Sequence, residues 1–397
     1  MLKKKYDIII VGAGLVGLAT AYNFKLKNPG SSLLIIEKEG GVSFHQSGHN
    51  SGVIHSGIYY KPGSLKAKNC IDGYDAIVNF AKEYGIPYEI CGKIIVATND
   101  KELPVLQNIY DRGVKNGLSS LIKLDKSQLN TFEPHVSGVA GIHVPQTGII
   151  DYLALSQKLL ELIMNLDGEI VFNETVNHII NDKGHYIIET NKKTYSGVKI
   201  VTCAGLHSDR VAQLTESQDD LRILPFRGEY YTLKPEKQHL VKNLIYPVPN
   251  PEFPFLGVHF TRMINGGVEA GPNAVLAFKR EGYKFSNFSF HDTKDTITWP
   301  GFWKIVLKYG RTGTMEMYRS LSKTSFTKSL QKLIPEIQED DLIPGGAGVR
   351  AQACDRKGNL LDDFDIKRSD NIIHVRNAPS PAATSCLSIG KQISEMI

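Results

Sequence analysis

The stretch YDIIIVGAGLVGLATAYNFKLKNPGSSLLIIEKEGG, residues 6–41, constrains the fold more than any other part of the chain. An apolar run from Tyr6 to Val11 meets a glycine turn. Apolar residues then recur at Leu15, Leu18, Ala19, Tyr22 and Leu26, the spacing of a helix face packed on a sheet. Leu33 to Ile36 form a second apolar run. A GxGxxG turn between strand and helix is a dinucleotide cradle. Gly12 permits the sharp turn, Gly14 lets backbone approach a pyrophosphate, and Gly17 lets the helix sit close to the strand. Glu37 closes the second strand, where a carboxylate accepts hydrogen bonds from ribose hydroxyls and disfavours a 2′-phosphate. The nearest second fingerprint, GAGVRA at 346–351, follows EDDLIP rather than an apolar strand, so one dinucleotide site is expected.

The residues after Glu37 indicate FAD rather than a nicotinamide cofactor. A nicotinamide dehydrogenase continues to alternate strand and helix. Here the second strand gives way to HQSGHNSGVIHSGIYY, residues 45–60, then to a helix from Ser64 to Tyr84, short mixed strands, and a helix from Asp151 to Leu166. The sheet pattern returns only at VKIVTCAG, residues 198–205, whose small-residue end lets a cofactor lie against the strand. A nucleotide fold interrupted by such insertions threads its substrate domain between pieces of its cofactor domain. The loop at 45–60 leaves the sheet at its carboxyl edge, where Ser47, His49, Asn50 and Ser51 are expected to donate to pyrophosphate and ribityl oxygens, with His55 at the flavin ring.

Other features exclude functions. Cys70, Cys91, Cys203, Cys354 and Cys386 show no CxxC spacing, which argues against a disulfide framework or a zinc site, so no metal is expected and the compartment reads as reducing. The net charge of +5 is unclustered, against nucleic acid. The basic-then-apolar opening reads as the first strand rather than a leader, and no window has the ~20 apolar residues of a membrane span.

Taken in series, VGAGLVG, HNSGVIHSGIYY, TCAGLHSDR, PFRGEYY, GPNAVLAF, AGVRAQA and NAPSPAATSCLSIG resemble the L-2-hydroxyglutarate dehydrogenase/oxidase family of D-amino-acid-oxidase-like flavoproteins, from about residue 6 to 390. The resemblance implies an α/β fold: a Rossmann-like FAD-binding domain of the glutathione-reductase/D-amino-acid-oxidase type (1–75, 150–215 and 336–397) with an interleaved α+β substrate domain on a mixed sheet (76–149 and 216–335). It also implies non-covalent FAD and oxidation of an (S)-2-hydroxy dicarboxylate to 2-oxoglutarate. Further cofactor contacts are expected at Val176, Ala204, Gly205, Gly348, Pro381 and Ala382, with Thr384 and Ser385 as donors at the start of the last helix, near the flavin pyrimidine.

Oxidising a secondary alcohol needs a base for the hydroxyl proton, and histidine is the usual one. His55 and His259 are the candidates, with flavin reduction expected to fall below a pKa near neutrality. A dicarboxylate calls for guanidinium groups, and Arg227 and Arg350 each sit among glycine and apolar residues. Arg350 is placed with both the catalytic and the substrate-binding residues; Tyr230 and Tyr231, on one strand, are both candidates for a phenolic donor, and Tyr231 is set with the substrate-binding residues. FLGVHFTRM, residues 255–263, reads as a strand with His259 and Thr261 on one face; Arg262 points the other way in an ideal strand and joins the substrate set where a bulge turns it.

Without a second nucleotide fingerprint, the electron acceptor is expected to be oxygen or a quinone. Residues 299–321, WPGFWKIVLKYGRTGTMEMYRSL, mix aromatic and basic residues as at a membrane interface, or form an amphipathic helix packed on the substrate domain. The chain therefore reads as cytoplasmic, with that segment as the contact if it is peripheral on the inner face of the membrane. An amino-acid or amine oxidase and a glycerol-3-phosphate dehydrogenase share the fold and FAD and stay open as alternatives, as does a non-catalytic FAD-binding scaffold.

Overall fold

The computed structural model describes residues 4–215, 220–250 and 257–397, without the side chains at 311, 312, 314–316, 318, 319 and 321. The first motif folds as its pattern dictates: strand Lys5–Val11, helix Leu15–Lys27, strand Leu33–Ile36. These strands pair in parallel with each other, and Lys5–Val11 pairs in parallel with Thr194–Thr202 on its other side. Gly168–Val171 and Ile372–Asn377 extend the parallel arrangement, and a meander through Val176–Asp182 and His185–Thr190 caps one edge. The helices Leu15–Lys27, Leu65–Tyr84, Tyr152–Asn165 and Cys386–Met396 cover one face, burying Ile8, Ile10, Leu18, Ile35, Ile77, Leu155 and Ile389 in one core. Each such side chain contributes ~1.5–3 kcal/mol over leaving it in water. Leu26, expected on the packed face, is exposed.

The second sheet is mixed. Leu221–Leu233 and Leu342–Asp355 form its long antiparallel pair, and Val268–Gly271, His259–Arg262, Leu244–Pro247, Lys93–Ala97, Ala140–Val144 and Ile122–Asp125 continue it. Two boundaries expected from the sequence shift as a result. Residues 342–355 pair with 221–233, so they belong to this second sheet and not with the rest of 336–397. The helix Leu65–Tyr84 runs past residue 75 and packs Ile77 and Phe80 into the first core. GAGVRA lies inside the long strand Leu342–Asp355, bonded to its neighbour, and is no nucleotide loop. The carboxyl ends of the first sheet open toward the second, and the space between them holds the site.

Candidate active site

A cavity of about 1150 Å³ runs from the glycine turn to the second sheet. This exceeds the ~300–1,000 Å³ typical of a drug-sized ligand, leaving room for a dinucleotide and a small acid together. At the turn, Gly12 adopts φ +104°, and a Cβ on Gly17 would lie 2.1 Å from Gly12 O, so helix and turn touch backbone to backbone. Glu37 pins the turn through both carboxylate oxygens: the Ala13 amide donates to one at 2.7 Å and the Glu39 amide to the other at 2.9 Å. Its remaining lone pairs are free for ribose hydroxyls on the cavity wall.

The 45–60 loop braces this end. Ser47 Oγ accepts from the Leu15 amide at 3.0 Å, satisfying one orphan donor of the helix N-terminus. Asn50 Nδ2 donates to the carbonyls of Gln46 and Ser47, and its Oδ1 accepts from the Gly52 amide. The His49 ring stacks on Tyr283 at 4.2 Å. The polar side chains of this loop therefore shape it, while Ser47, His49, Asn50 and Ser51 all border the cavity. Val176, Ala204, Gly205, Gly348, Pro381 and Ala382 border it too. A Cβ on Gly348 would lie 2.6 Å from His49 O, so only glycine lets this strand approach the loop.

Thr384 and Ser385 are not on the cavity wall. Thr384 Oγ1 accepts from the His55 amide at 3.0 Å and bonds to Tyr152 Oη and Val53 O, so its hydroxyl is spent holding the His55 loop. The Ser385 side chain is fully buried, and its amide donates to Pro381 O. Near the glycine turn, Glu39, His45 and Glu281 bring three metal-ligand atoms together, but the Lys38 ammonium bridges both carboxylates. Against burial, which pushes it up, His207 and Lys38 hold Glu281 well below the usual carboxylate range.

At the far end the cavity meets His55, Tyr59, Tyr60, Tyr230, Tyr246, His259 and Arg350. His259 Nδ1 lies 2.9 Å from Gly257 O. A carbonyl only accepts, so Nδ1 carries the proton and Nε2 keeps a lone pair. Burial above all, with the Arg350 and Lys93 charges, pushes His259 down to about 3 against the pull of that carbonyl. Burial and Lys93 do the same to His55, also to about 3. Both values lie well below the near-neutral pKa expected of the base from the sequence. Burial pushes the Tyr230 phenol up to about 12, keeping it a neutral donor.

Three expected substrate residues lie elsewhere. Arg227 is 1% exposed, bonded to Glu229 and packed over the Phe285 ring. On its strand Gly228 and Tyr230 face the cavity, so the two-residue period turns Arg227, Glu229 and Tyr231 away, and Tyr231 packs on Phe326. Arg262 has no bulge to turn it: it follows the ideal alternation and pairs with Glu89 at 2.6 Å outside the cavity. Tyr230 is the strand's aromatic contribution. Parity counted from Gly228, the residue small enough to admit a ligand, would have selected it. Tyr246 and Tyr59, absent from the expected set, lie in LIYP and GIYY, whose aromatics read equally well as core.

A glycine cradle with an acid at the second strand, opening into a histidine- and arginine-walled chamber on a second sheet, defines an FAD-dependent oxidoreductase, and the family model of that description matches residues 7–396. The fold agrees with solved structures. An L-alpha-glycerophosphate oxidase from Mycoplasma pneumoniae with FAD bound superposes with a TM-score of 0.80 at 24% identity, covering 98% of this chain and 94% of that one. A glycine oxidase from Geobacillus kaustophilus gives 0.72 at 14%, with the same coverage. At these identities the likeness speaks for the fold alone. Sequence narrows it further: an L-2-hydroxyglutarate dehydrogenase of Indibacter alkaliphilus is 55% identical over 391 residues, 98% of each chain. The human mitochondrial L-2-hydroxyglutarate dehydrogenase is 44% identical over 99% of this chain and 88% of its own length. The chain belongs to the L-2-hydroxyglutarate dehydrogenase family of FAD-dependent oxidoreductases.

Proposed function

We propose that this protein oxidises L-2-hydroxyglutarate to 2-oxoglutarate. The observation that carries the reading is the meeting of His259, with an unprotonated Nε2, and Arg350 at one end of a dinucleotide-sized cavity, in a chain alike along nearly its whole length to enzymes of that name. Gly12, Gly14, Gly17, Glu37 and the 45–51 loop would hold the FAD. Bound FAD supplies the acceptor for the electron pair leaving the carbinol carbon. Arg350 pairs with a substrate carboxylate, which fixes the carbon beside it. His259 Nε2 takes the hydroxyl proton as the carbonyl forms, and Tyr230 donates to the oxygen or to the same carboxylate. With hydroxyl and carboxylate both fixed by His259 and Arg350, the two enantiomers direct their C–H bonds differently, and the site distinguishes them. The test is anaerobic bleaching of the flavin: L-2-hydroxyglutarate should bleach it, and its D enantiomer, L-glutamate and glycerol 3-phosphate should not. Bleaching by L-glutamate or glycerol 3-phosphate in preference would install one of the alternative oxidases instead.

The electron acceptor we infer is a membrane quinone. Residues 299–321 divide: Trp299 is 2% exposed in the core, while on the helix Pro300–Leu321 Trp303 is 55% and Leu307 86% exposed. Trp303 Nε1 donates to Ile297 O, joining that face to the preceding helix, where Phe290 is 75% exposed. Lys294, Lys304 and Lys308 stand exposed among these side chains, an apolar face with a basic rim suited to an anionic leaflet. No helix among the described residues is long and apolar enough to cross a membrane. Flotation with anionic liposomes, lost in Leu307→Glu, and quinone reduction faster than peroxide release are the expected results; no flotation with rapid peroxide formation would make oxygen the acceptor.

A further inference from the structure

A substrate with two carboxylates needs two cations, and Arg227 and Arg262 are not on the cavity wall. Lys66, which is, already answers Asp362 at 2.7 Å, and Arg112 donates to Tyr59 O from an exposed position. A different cation stands behind the wall. Lys93, on the strand Lys93–Ala97, is 1% exposed. Its Nζ lies 4.6 Å from the centroid of the Tyr59 ring and 4.8 Å from that of Tyr246, and both rings line the cavity. We propose that Lys93 is the second cation of the dicarboxylate site, an ammonium beside the wall residues Tyr59 and Tyr246 whose charge answers the carboxylate Arg350 does not hold. The inference rests on the dicarboxylate reading above.

The surroundings of Lys93 explain why its charge is available. The groups facing it are Cys70 from the helix Leu65–Tyr84, His55 and Tyr59 from the loop after Val53–Ile54, Tyr246 from Leu244–Pro247 and His259 from His259–Arg262. None is an anion at neutral pH: burial pushes the Cys70 thiol up to about 12 and raises both phenols, while the histidines are neutral. Among the described residues no carboxylate pairs with Lys93. Two aromatic faces are its compensation, a partial one for a buried ammonium. Burial accordingly pushes Lys93 down to about 7, so near neutral pH it is divided between ammonium and amine. A dianion entering the cavity favours the ammonium, raises that value and draws a proton from solution. A monoanion held by Arg350 alone exerts little of this pull.

The experiment is titration calorimetry on the oxidised holoenzyme at about pH 8 in buffers of different ionisation enthalpy, with 2-oxoglutarate against 2-oxopentanoate, which lacks the second carboxylate. Wild type should take up protons on binding 2-oxoglutarate and almost none with 2-oxopentanoate. Lys93→Met, with its flavin content checked, should abolish the uptake and weaken 2-oxoglutarate ~10-fold or more while changing 2-oxopentanoate less than ~3-fold. Lys93→Arg should recover affinity without proton uptake. The proposal falls if wild type binds 2-oxoglutarate with no uptake, a result that needs no variant, or if Lys93→Met weakens both acids equally. Failure of wild type to bind 2-oxoglutarate at all would instead sink the substrate reading, and this inference with it.

Discussion

The two ends of the cavity are built by different means. The dinucleotide end comes from almost contiguous chain: the turn at 12–17, Glu37 and the 45–51 loop, tied to one another by Glu37 to Ala13 and Ser47 to Leu15. The substrate end is assembled from residues far apart: His55, Lys93, Tyr230, Tyr246, His259 and Arg350 come from five strands and a loop. At the first end each residue's task follows from its neighbours in sequence. At the second a residue's task depends on which face of its strand it occupies and on which strands stand beside it. The first end is therefore rigid turn geometry, sensitive to a single added carbon. The second is an electrostatic chamber, sensitive to charge.

Legibility follows the same division. The strand, helix, strand and acid of residues 6–37 were readable because glycine chemistry and a 3.6-residue period act locally. At the substrate end residue type was readable but parity was not. Arg227 and Tyr231 looked suitable, yet one residue of register puts Tyr230 inside and both of them out. Alternation alone sets His259 and Arg262 on opposite faces, and of the two only His259 borders the cavity. Lys93, in KIIVA, reads as an ordinary strand lysine, and nothing local signals that both faces of its strand are covered. Thr384 has the chemistry of a flavin donor, but its hydroxyl is engaged by three partners. Hydrogen-bond competition of that kind exists only in three dimensions.

The largest expected effect separates the two ends outright. A Cβ at Gly14 would stand 3.1 Å from Ser47 Oγ, a contact the loop can absorb, but a valine side chain there projects into the pyrophosphate cradle. Gly14→Val should therefore purify folded and colourless. Gly17→Ala, whose Cβ would lie 2.1 Å from Gly12 O, should instead lower stability, by ~1–3 kcal/mol as overpacking does. Flavin absorbance set beside a melting curve checks both. A yellow Gly14→Val would move the cofactor away from this turn.

A smaller effect sharpens the chemistry of the far end. His259→Ala should retain flavin and lower the anaerobic flavin-reduction rate by ~10²-fold or more. The pH profile of kcat/KM carries a second check, because it reports the free enzyme. Both histidines have depressed values of about 3, so the base form is fully present above that pH and is lost only as pH falls through it. From about pH 5 to pH 6 the profile should be flat, varying less than ~2-fold. A steep fall below about pH 6.5 would mean that the histidine environment is far wetter than its packing against Tyr246 at 4.0 Å implies.

The smallest expected effect is the most direct test of strand parity. Arg350 and Arg262 are both arginines on strands of the second sheet, one on the cavity wall and one paired with Glu89 outside it. Losing a charge-assisted pair to substrate costs ~1.5–3 kcal/mol, so Arg350→Met should raise KM by ~10- to 100-fold with flavin retained. Losing the Arg262–Glu89 pair removes a half-exposed contact worth ~0–1 kcal/mol of stability, and Arg262→Ala should leave KM within ~2-fold. The two substitutions remove the same charge from the same sheet, so long-range electrostatics cannot explain a difference of that size; only the face each side chain occupies can. A KM for Arg262→Ala raised as far as that of Arg350→Met would require His259–Arg262 to carry a bulge when substrate binds, bringing both faces of that strand to the site.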